Sequence, residues 1–183
     1  MSAVVLSFAL GLVAWTFLEY VIHAWLGHLP KGRILISSEH LKHHAHILYF
    51  TPVALKVRGA LPVLGVLLAV VGLPLGLAAG LGFVAAVAFG WTVYEWLHQS
   101  IHVNGPTNGY SRWAARHHLQ HHCGRPNRNF GVTTPFWDIV LGTYEPAPRV
   151  RVSRRLAASI PWLAPASEPR RAPIAFLADY EVV

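Results

Sequence analysis

Ala115-Arg116-His117-His118-Leu119-Gln120-His121-His122 is the stretch whose reading decides the rest of the chain. It ends in an H-x-x-H-H array formed by His118, His121 and His122. On a helix, positions i, i+3 and i+4 share one face, so the three imidazoles are expected to point into one small volume. Ordinary core packing asks for nothing of the kind, and imidazoles protonated side by side repel. A metal ion is the usual reason to gather several neutral imidazoles. The array has an upstream twin, Glu39-His40-Leu41-Lys42-His43-His44, with His40, His43 and His44 at the same spacing. Two pairs complete the set: His23 and His28 as H-x4-H, and His98 and His102 as H-x3-H. Ten of the twelve histidines fall into these four groups, leaving His46 and His117 outside them. A lone histidine on an apolar face is ordinarily a hydrogen-bonded core residue, but that reading does not account for two arrays and two pairs together. Cys123 is the only cysteine, so thiolates supply no alternative ligand set and no disulfide framework is expected.

Outward from the histidines, the chain reads as a membrane protein. Its 183 residues amount to one domain. Apolar residues make up 54% and charged residues 13%, too apolar for an ordinary soluble domain. The net charge of +7 raises the question of nucleic acid. The basic residues, however, flank membrane-length apolar runs and build no soluble basic motif, so no nucleic-acid partner is expected. Ser2 to Trp25 is apolar apart from Ser, Gly, Thr and Glu19. As a helix it would be about 36 Å long, enough to cross a bilayer. It lacks a preceding basic residue and a small-residue cleavage site, so it does not read as a secretory signal. Pro30 to Phe50 is polar, with Ser37-Ser38-Glu39 reading as the cap of a short helix that bears the upstream array. Ile47 to Val57 reads as a connector along the membrane surface.

Ala60 to His102 is long enough for a hairpin of two spans, with its turn between Gly72 and Gly82. A turn near Pro74 would leave the first leg short, tilted or only partly spanning. Trp91, Tyr94 and Trp96 suit the headgroup interface. Tyr110 to His122 reads as a helix stopped by Gly124-Arg125-Pro126, and Pro146 to Val183 as a Pro/Arg-rich surface tail with little order. The expected fold is therefore all-α and integral to the membrane. It has about three transmembrane helices, one span plus a hairpin, with residues 1–145 membrane-embedded and 146–183 a tail.

Three crossings bring all four histidine groups to one side. Of the 15 Lys and Arg residues, five lie between residues 31 and 58 and ten from Arg112 onward, with none in residues 1–30 or the hairpin turn. The positive-inside rule then places the histidines in the cytoplasm and the N-terminus outside, with a bacterial inner membrane the expected location.

Ten ligands are too many for one ion. Two ions would each receive about five nitrogens and keep one position open, where dioxygen can bind a redox metal. Carboxylates commonly grip the outer N–H of ligand imidazoles. Glu19, Glu95 and Asp138 are the nearest in sequence, and each also reads as a plain surface or cap carboxylate. Imidazole binds zinc, iron, copper and nickel alike, so spacing does not name the metal.

The full series of motifs resembles the fatty acid hydroxylase/sterol desaturase superfamily of integral membrane di-iron oxygenases. Glu19-Tyr20-Val21-Ile22-His23 is similar to the lead-in of that family's first motif, and Tyr94-Glu95-Trp96-Leu97-His98 through His102 to its third. His117 to His122, followed by Asn129-Phe130-Gly131-Val132-Thr133 and Phe136-Trp137-Asp138, resembles the end of the catalytic domain, especially in the fatty acid 2-hydroxylase branch. The resemblance implies a cytosolic, histidine-rich helical cap over membrane helices. It implies two iron ions, which zinc can replace in a purified sample, and dioxygen as co-substrate. It implies His23, His28, His40, His43, His44, His98, His102, His118, His121 and His122 as the ligands, with His118 rather than His117 preserving the array. Cys123 is a bystander in that pattern. The expected activity is hydroxylation of a fatty acyl chain or acyl lipid. A fused cytochrome b5 domain, present in some relatives, has no room in the chain, so a separate ferredoxin or cytochrome b5-like electron donor is expected. Carotenoid ring hydroxylation and sterol desaturation are the alternatives within the superfamily. A membrane metal-binding or transport protein is the alternative outside it, although a transporter would place its ligands near the midplane of the spans.

Overall fold

The computed structural model describes residues 2–164 and 174–183. Helix α1 (Ala3–Tyr20) runs directly into a π-helix (Val21–His28). Then come α2 (Leu35–Ala45), α3 (Val53–Leu75), α4 (Leu77–Val103), α5 (Gly109–Cys123) and α6 (Phe136–Val140). The C-terminal segment adds β1 (Val150–Val152), α7 (Arg154–Ser159), α8 (Ile174–Leu177) and β2 (Tyr180–Val182). Among the described residues, three helical stretches are long and apolar enough to cross a bilayer: Ala3–His28, Val53–Leu75 and Leu77–Val103. This is the expected helical, membrane-integral architecture, with one addition, the parallel pairing of β1 with β2.

The chain divides into two compact units. The first comprises Met1–Glu19 and Thr51–Tyr94. In lipid, no water competes for apolar surface, so helices associate through close packing of small residues. Gly11 faces the Phe83 carbonyl and the Ala86 side chain, Gly82 faces Val4, and Gly90 lies flat against the Trp15 ring. Trp15 in turn meets Tyr94 edge-on at 5.9 Å. The hairpin turns at Gly76, whose φ of +90° suits glycine, and Gly72 and Gly80 let the two legs approach beside it. The first leg is longer than the sequence suggests. It starts at Val53 and runs 23 residues, taking in Lys56 and Arg58 and passing through Pro62. Charges in the first turns end a hydropathy run early, yet their long side chains can reach the interface from inside a helix. No α3 residue is buried, as a lipid-facing helix requires.

The second unit comprises Tyr20–Phe50 and Glu95–Val183 and holds every one of the clustered histidines. Helix α5 is opened by a capping box: Asn108 Oδ1 accepts from the Ser111 amide at 2.9 Å, and Ser111 Oγ accepts from the Asn108 amide at 3.0 Å. Helix α2 begins two residues before Ser37, at Leu35, and Ile34 at its N-cap makes no side-chain bond. Ser37 is therefore no cap. Its Oγ donates to the Gly27 carbonyl at 2.7 Å and accepts from the Gly32 amide at 2.8 Å, tying α2 to the π-helix. Tyr20, Ala24 and Phe130 form a buried cluster with Trp137 against it. Where a loose surface tail is expected after Pro146, the structure instead buries Val150, Val152, Ile160, Trp162 and Tyr180. Apolar residues spaced two apart in so short a strand give too weak a period to be read among Pro and Arg.

The glycine contacts of the first unit are testable. Gly90→Leu forces a side chain into the Trp15 ring and is expected to cost about 1–3 kcal/mol, read as a lowered melting temperature in detergent. Gly65→Leu, at a position with nothing within 4 Å, is expected to leave the melting temperature unchanged.

Candidate metal centre

Among the described residues the ten histidines form two groups. One is His23, His28, His40, His44 and His121; the other is His43, His98, His102, His118 and His122. Within each group the candidate ligand atoms all lie within 4.8 Å of one another. The two arrays are split between the groups. The i and i+4 residues of α2 (His40, His44) join the first group and His43 the second; in α5, His118 and His122 join the second and His121 the first. The expected single volume for three imidazoles is therefore corrected to two volumes served by one helix face. Positions i and i+4 overlie each other on that face, while i+3 is offset to one side.

The pairs obey the same logic through different helices. His98 and His102 sit four apart on α4, an α-helical stagger. His23 and His28 sit five apart, which on an α-helix would rotate them about 140° from each other. They lie in the π-helix, whose i→i+5 hydrogen bonds stack residues five apart. The π-helix is thus what makes H-x4-H a same-face pair. Close packing follows, because Gly27 leaves room for the His40 ring, which a Cβ would approach to 3.0 Å.

The nitrogen positions carry the chemistry. In the first group the Nε2 atoms of His121, His28, His40 and His44 form a closed circuit with separations of 3.1, 2.8, 3.0 and 3.0 Å. His23 Nε2 stands 3.0 Å from that of His121. In the second group His118 Nε2 is 3.0 Å from both His102 Nε2 and His122 Nε2. Two metal–nitrogen bonds of about 2.1 Å meeting at a right angle place their nitrogens about 3.0 Å apart, whereas a tetrahedral angle would require about 3.4 Å. The other ring nitrogens decide whether these contacts are hydrogen bonds. His23 Nδ1 lies 2.5 Å from the Phe130 carbonyl, His121 Nδ1 lies 2.8 Å from that of Arg128, and His43 Nδ1 lies 2.8 Å from that of Tyr49. A carbonyl only accepts, so each Nδ1 carries the proton and, in a neutral ring, each Nε2 presents a lone pair. His23 and His121 therefore aim two lone pairs at each other with no proton to share. A cation between them satisfies both, so the residues fit a metal centre.

The surroundings keep the rings neutral. Burial, followed by the neighbouring imidazoles, holds His118, His121 and His122 well below the usual imidazole range. His40 is lowered in the same way, and His44 is lowered to about 2, burial again leading.

The three carboxylates expected to steady these rings occupy different places. Glu19 is buried and belongs to the first unit, and Glu95 is half-buried. Asp138 is fully buried and acts one layer out. It accepts from the Phe130 amide (2.8 Å), the Gly131 amide (2.8 Å), the Thr143 hydroxyl (2.7 Å) and His117 Nε2 (3.2 Å). Those bonds hold its carboxyl below the usual range against the opposing effect of burial, which is the largest single influence. Asp138 thereby fixes the turn at Asn129, φ +57°, whose neighbours Arg128 and Phe130 offer the carbonyls to His121 and His23. His117 belongs to neither group. Its ring stacks on Trp113 at 5.2 Å and Tyr144 at 5.7 Å. Cys123 also stands outside both groups, and burial raises its thiol to about 12, so it stays protonated. Sequence reading missed Tyr49 and the Phe130 and Arg128 carbonyls, since main-chain acceptors leave no mark in residue type.

The chain is similar to known proteins in sequence and in fold. The family model described as fatty acid hydroxylase matches residues 8–143. The dihydroceramide fatty acyl 2-hydroxylase FAH2 of Arabidopsis thaliana is 30% identical over 144 residues, covering 74% of this chain and 59% of that protein. The ceramide very long chain fatty acid hydroxylase SCS7 of Saccharomyces cerevisiae is 32% identical over 148 residues, covering 75% and 37%. The human fatty acid 2-hydroxylase is 28% identical over 151 residues, covering 76% and 39%. The solved structure of full-length scs7p, in which only the hydroxylase domain is visible, superposes with a TM-score of 0.64 at 29% identity, covering 79% of this chain and 56% of that one. The chain belongs to the fatty acid hydroxylase family. It spans between about a third and three fifths of the length of these curated relatives.

Two outcomes test the site. Unfolded imidazoles titrate near 6.5, while the folded rings of His40, His44, His118, His121 and His122 titrate lower. Below ~6.5 the unfolded chain therefore takes up protons that the folded chain refuses, and folded stability falls with pH while remaining complete above that value. Metal-free protein is expected to show its melting temperature dropping between about pH 7 and 5, and metal-loaded protein is expected to release its metal as the pH falls. Asp138→Ala is expected to weaken metal binding on the order of 10–100-fold in a competition titration, because the carbonyls facing His23 and His121 lose their anchor.

Proposed function

We propose that the chain is a membrane-bound, dioxygen-dependent lipid hydroxylase in which ten of the twelve histidines hold two iron ions. His23, His28, His40, His44 and His121 would hold one, and His43, His98, His102, His118 and His122 the other. The observation that carries this reading is the convergence of five imidazole nitrogens in each group, with the outer nitrogens of His23, His121 and His43 facing main-chain carbonyls. Five nitrogens at right-angle separations exceed what four-coordinate zinc takes and suit a metal with six positions, one of them open. Zinc in a purified sample would be a replacement. Bound iron supplies the redox chemistry in which a C–H bond, dioxygen, two electrons and two protons give C–OH and water.

The chain's own residues contribute position and charge. Neutral imidazoles would leave the positive charge of a bound ion uncompensated by its ligands. The Phe130, Arg128 and Tyr49 carbonyls fix three rings in the tautomer that leaves Nε2 free. Burial of His102, His118 and His121 excludes water from their part of the site.

Similarity to a dihydroceramide fatty acyl 2-hydroxylase and a fatty acid 2-hydroxylase supports a fatty acyl chain or acyl-bearing lipid as substrate, attacked at the 2-position. A ferredoxin or cytochrome b5-like carrier would deliver the electrons. The distribution of Lys and Arg supports histidine groups facing the cytoplasm, with the inner membrane of a bacterium as the corresponding location.

Comparative lipid mass spectrometry of cells with and without the gene tests the activity. The expected result is a lipid gaining the mass of one oxygen atom, absent when His44→Ala or His122→Ala replaces the native protein. Purified protein that holds two ions per chain but turns over no lipid with reductant and dioxygen would instead favour metal handling.

A further inference from the structure

The C-terminal segment lies beyond the residues matched by the family model, yet it grips the two helices that carry most of the second histidine group. Trp162 is buried, and its Nε1 donates to the Ile101 carbonyl at 2.8 Å, one residue before His102. Its indole occupies the space beside Gly105, φ +76°, where a Cβ would come within 2.6 Å of the ring. Tyr180 meets Trp162 edge-on at 5.1 Å. At the start of α5, Arg112 Nε and Nη2 donate to Asp179 Oδ2 and Oδ1 at 2.6 and 2.7 Å, and Arg116 lies 3.7 Å from the same carboxylate. Such two-pronged pairs fix direction as well as distance. Arg112 also sits over the Phe176 ring at 4.9 Å. Trp162 thus fastens the end of α4, and Asp179 the beginning of α5.

Those helices matter unequally to the two groups. They supply His98, His102, His118 and His122 to the second group but only His121 to the first. The rings are also secured differently. In the first group the outer nitrogens of His23 and His121 face main-chain carbonyls. In the second, the Nδ1 atoms of His102 and His118 are buried without a hydrogen-bond partner among the described residues. No outer bond aims these two rings, so the placement of α4 against α5 must do so.

We propose that Trp162 and Asp179 are positioning residues for the second five-histidine group, holding the His102 end of α4 and the start of α5 at the separation its metal ion needs. The inference rests on the reading that each group binds an ion, and it adds that the two sites depend differently on the C-terminal segment.

The test is a cobalt(II) titration of full-length, metal-stripped protein in detergent, followed by visible absorption and metal count. Wild type is expected to take up two cobalt ions per chain. Asp179→Ala and Trp162→Ala are expected to keep one tight site and to weaken the other on the order of 10–100-fold, with the absorption of the retained site unchanged. Gly105→Ala, which displaces the indole without removing a polar group, is expected to do the same. Trp162→Phe, which keeps a ring in the Gly105 seat, is expected to recover part of the lost affinity. Equal weakening of both sites, or wild-type affinity at both, would overturn the inference alone. A wild-type chain that takes up fewer than two ions would remove the two-ion reading and this inference with it.

Discussion

Everything in the second unit answers to one electrostatic constraint, the repulsion among lone pairs crowded into a small volume. His23 and His121 make it plain. Each gives its only proton to a carbonyl, and each turns its bare nitrogen toward the other at 3.0 Å. Protonation would relieve one contact at the cost of placing charge among buried imidazoles, which burial itself opposes. A cation relieves all the contacts at once. The fold therefore stores an arrangement that is unfavourable when empty and favourable when loaded, so its stability is linked to metal occupancy.

Several local departures from regular structure serve that arrangement. The π-helix converts a five-residue spacing into a stacked pair, and Ser37 ties its Gly27 carbonyl to α2. Asn129 adopts a left-handed backbone so that the carbonyls on either side of it face two different imidazoles. Asp138 gathers two amides, a hydroxyl and His117 around one carboxylate to hold that turn. Rare backbone conformations persist only where their surroundings over-determine them, and here the surroundings are hydrogen bonds to a buried charge.

Much of this was legible beforehand. The apolar runs placed three spans, because a helix that faces lipid needs little beyond length and low charge. The histidine spacing named the ten residues that the structure gathers, and their count pointed to two groups of five. The partition of each array was not legible, because helical periodicity says which residues share a face and not which neighbour on that face they meet. The start of α3 was misplaced because Lys56 and Arg58 end a hydropathy window without ending a helix. Ser37 carries the residue type of a cap but serves as a strut, since its hydroxyl reaches the π-helix and not its own first turn. The C-terminal anchoring was hidden because its pieces, Val150, Trp162 and Asp179, are far apart in a Pro/Arg-rich background.

Helix α2 carries a consequence of its own. His43 and His44 are adjacent in sequence and belong to different groups, and α5 repeats this with His121 and His122. Neighbouring residues on an α-helix are separated by a fixed rotation and rise. The distance between the two histidine groups is therefore written into the pitch of two rigid rods. Changing the winding of either rod between its adjacent histidines would change that spacing, whereas a loosened rod end leaves the step itself intact.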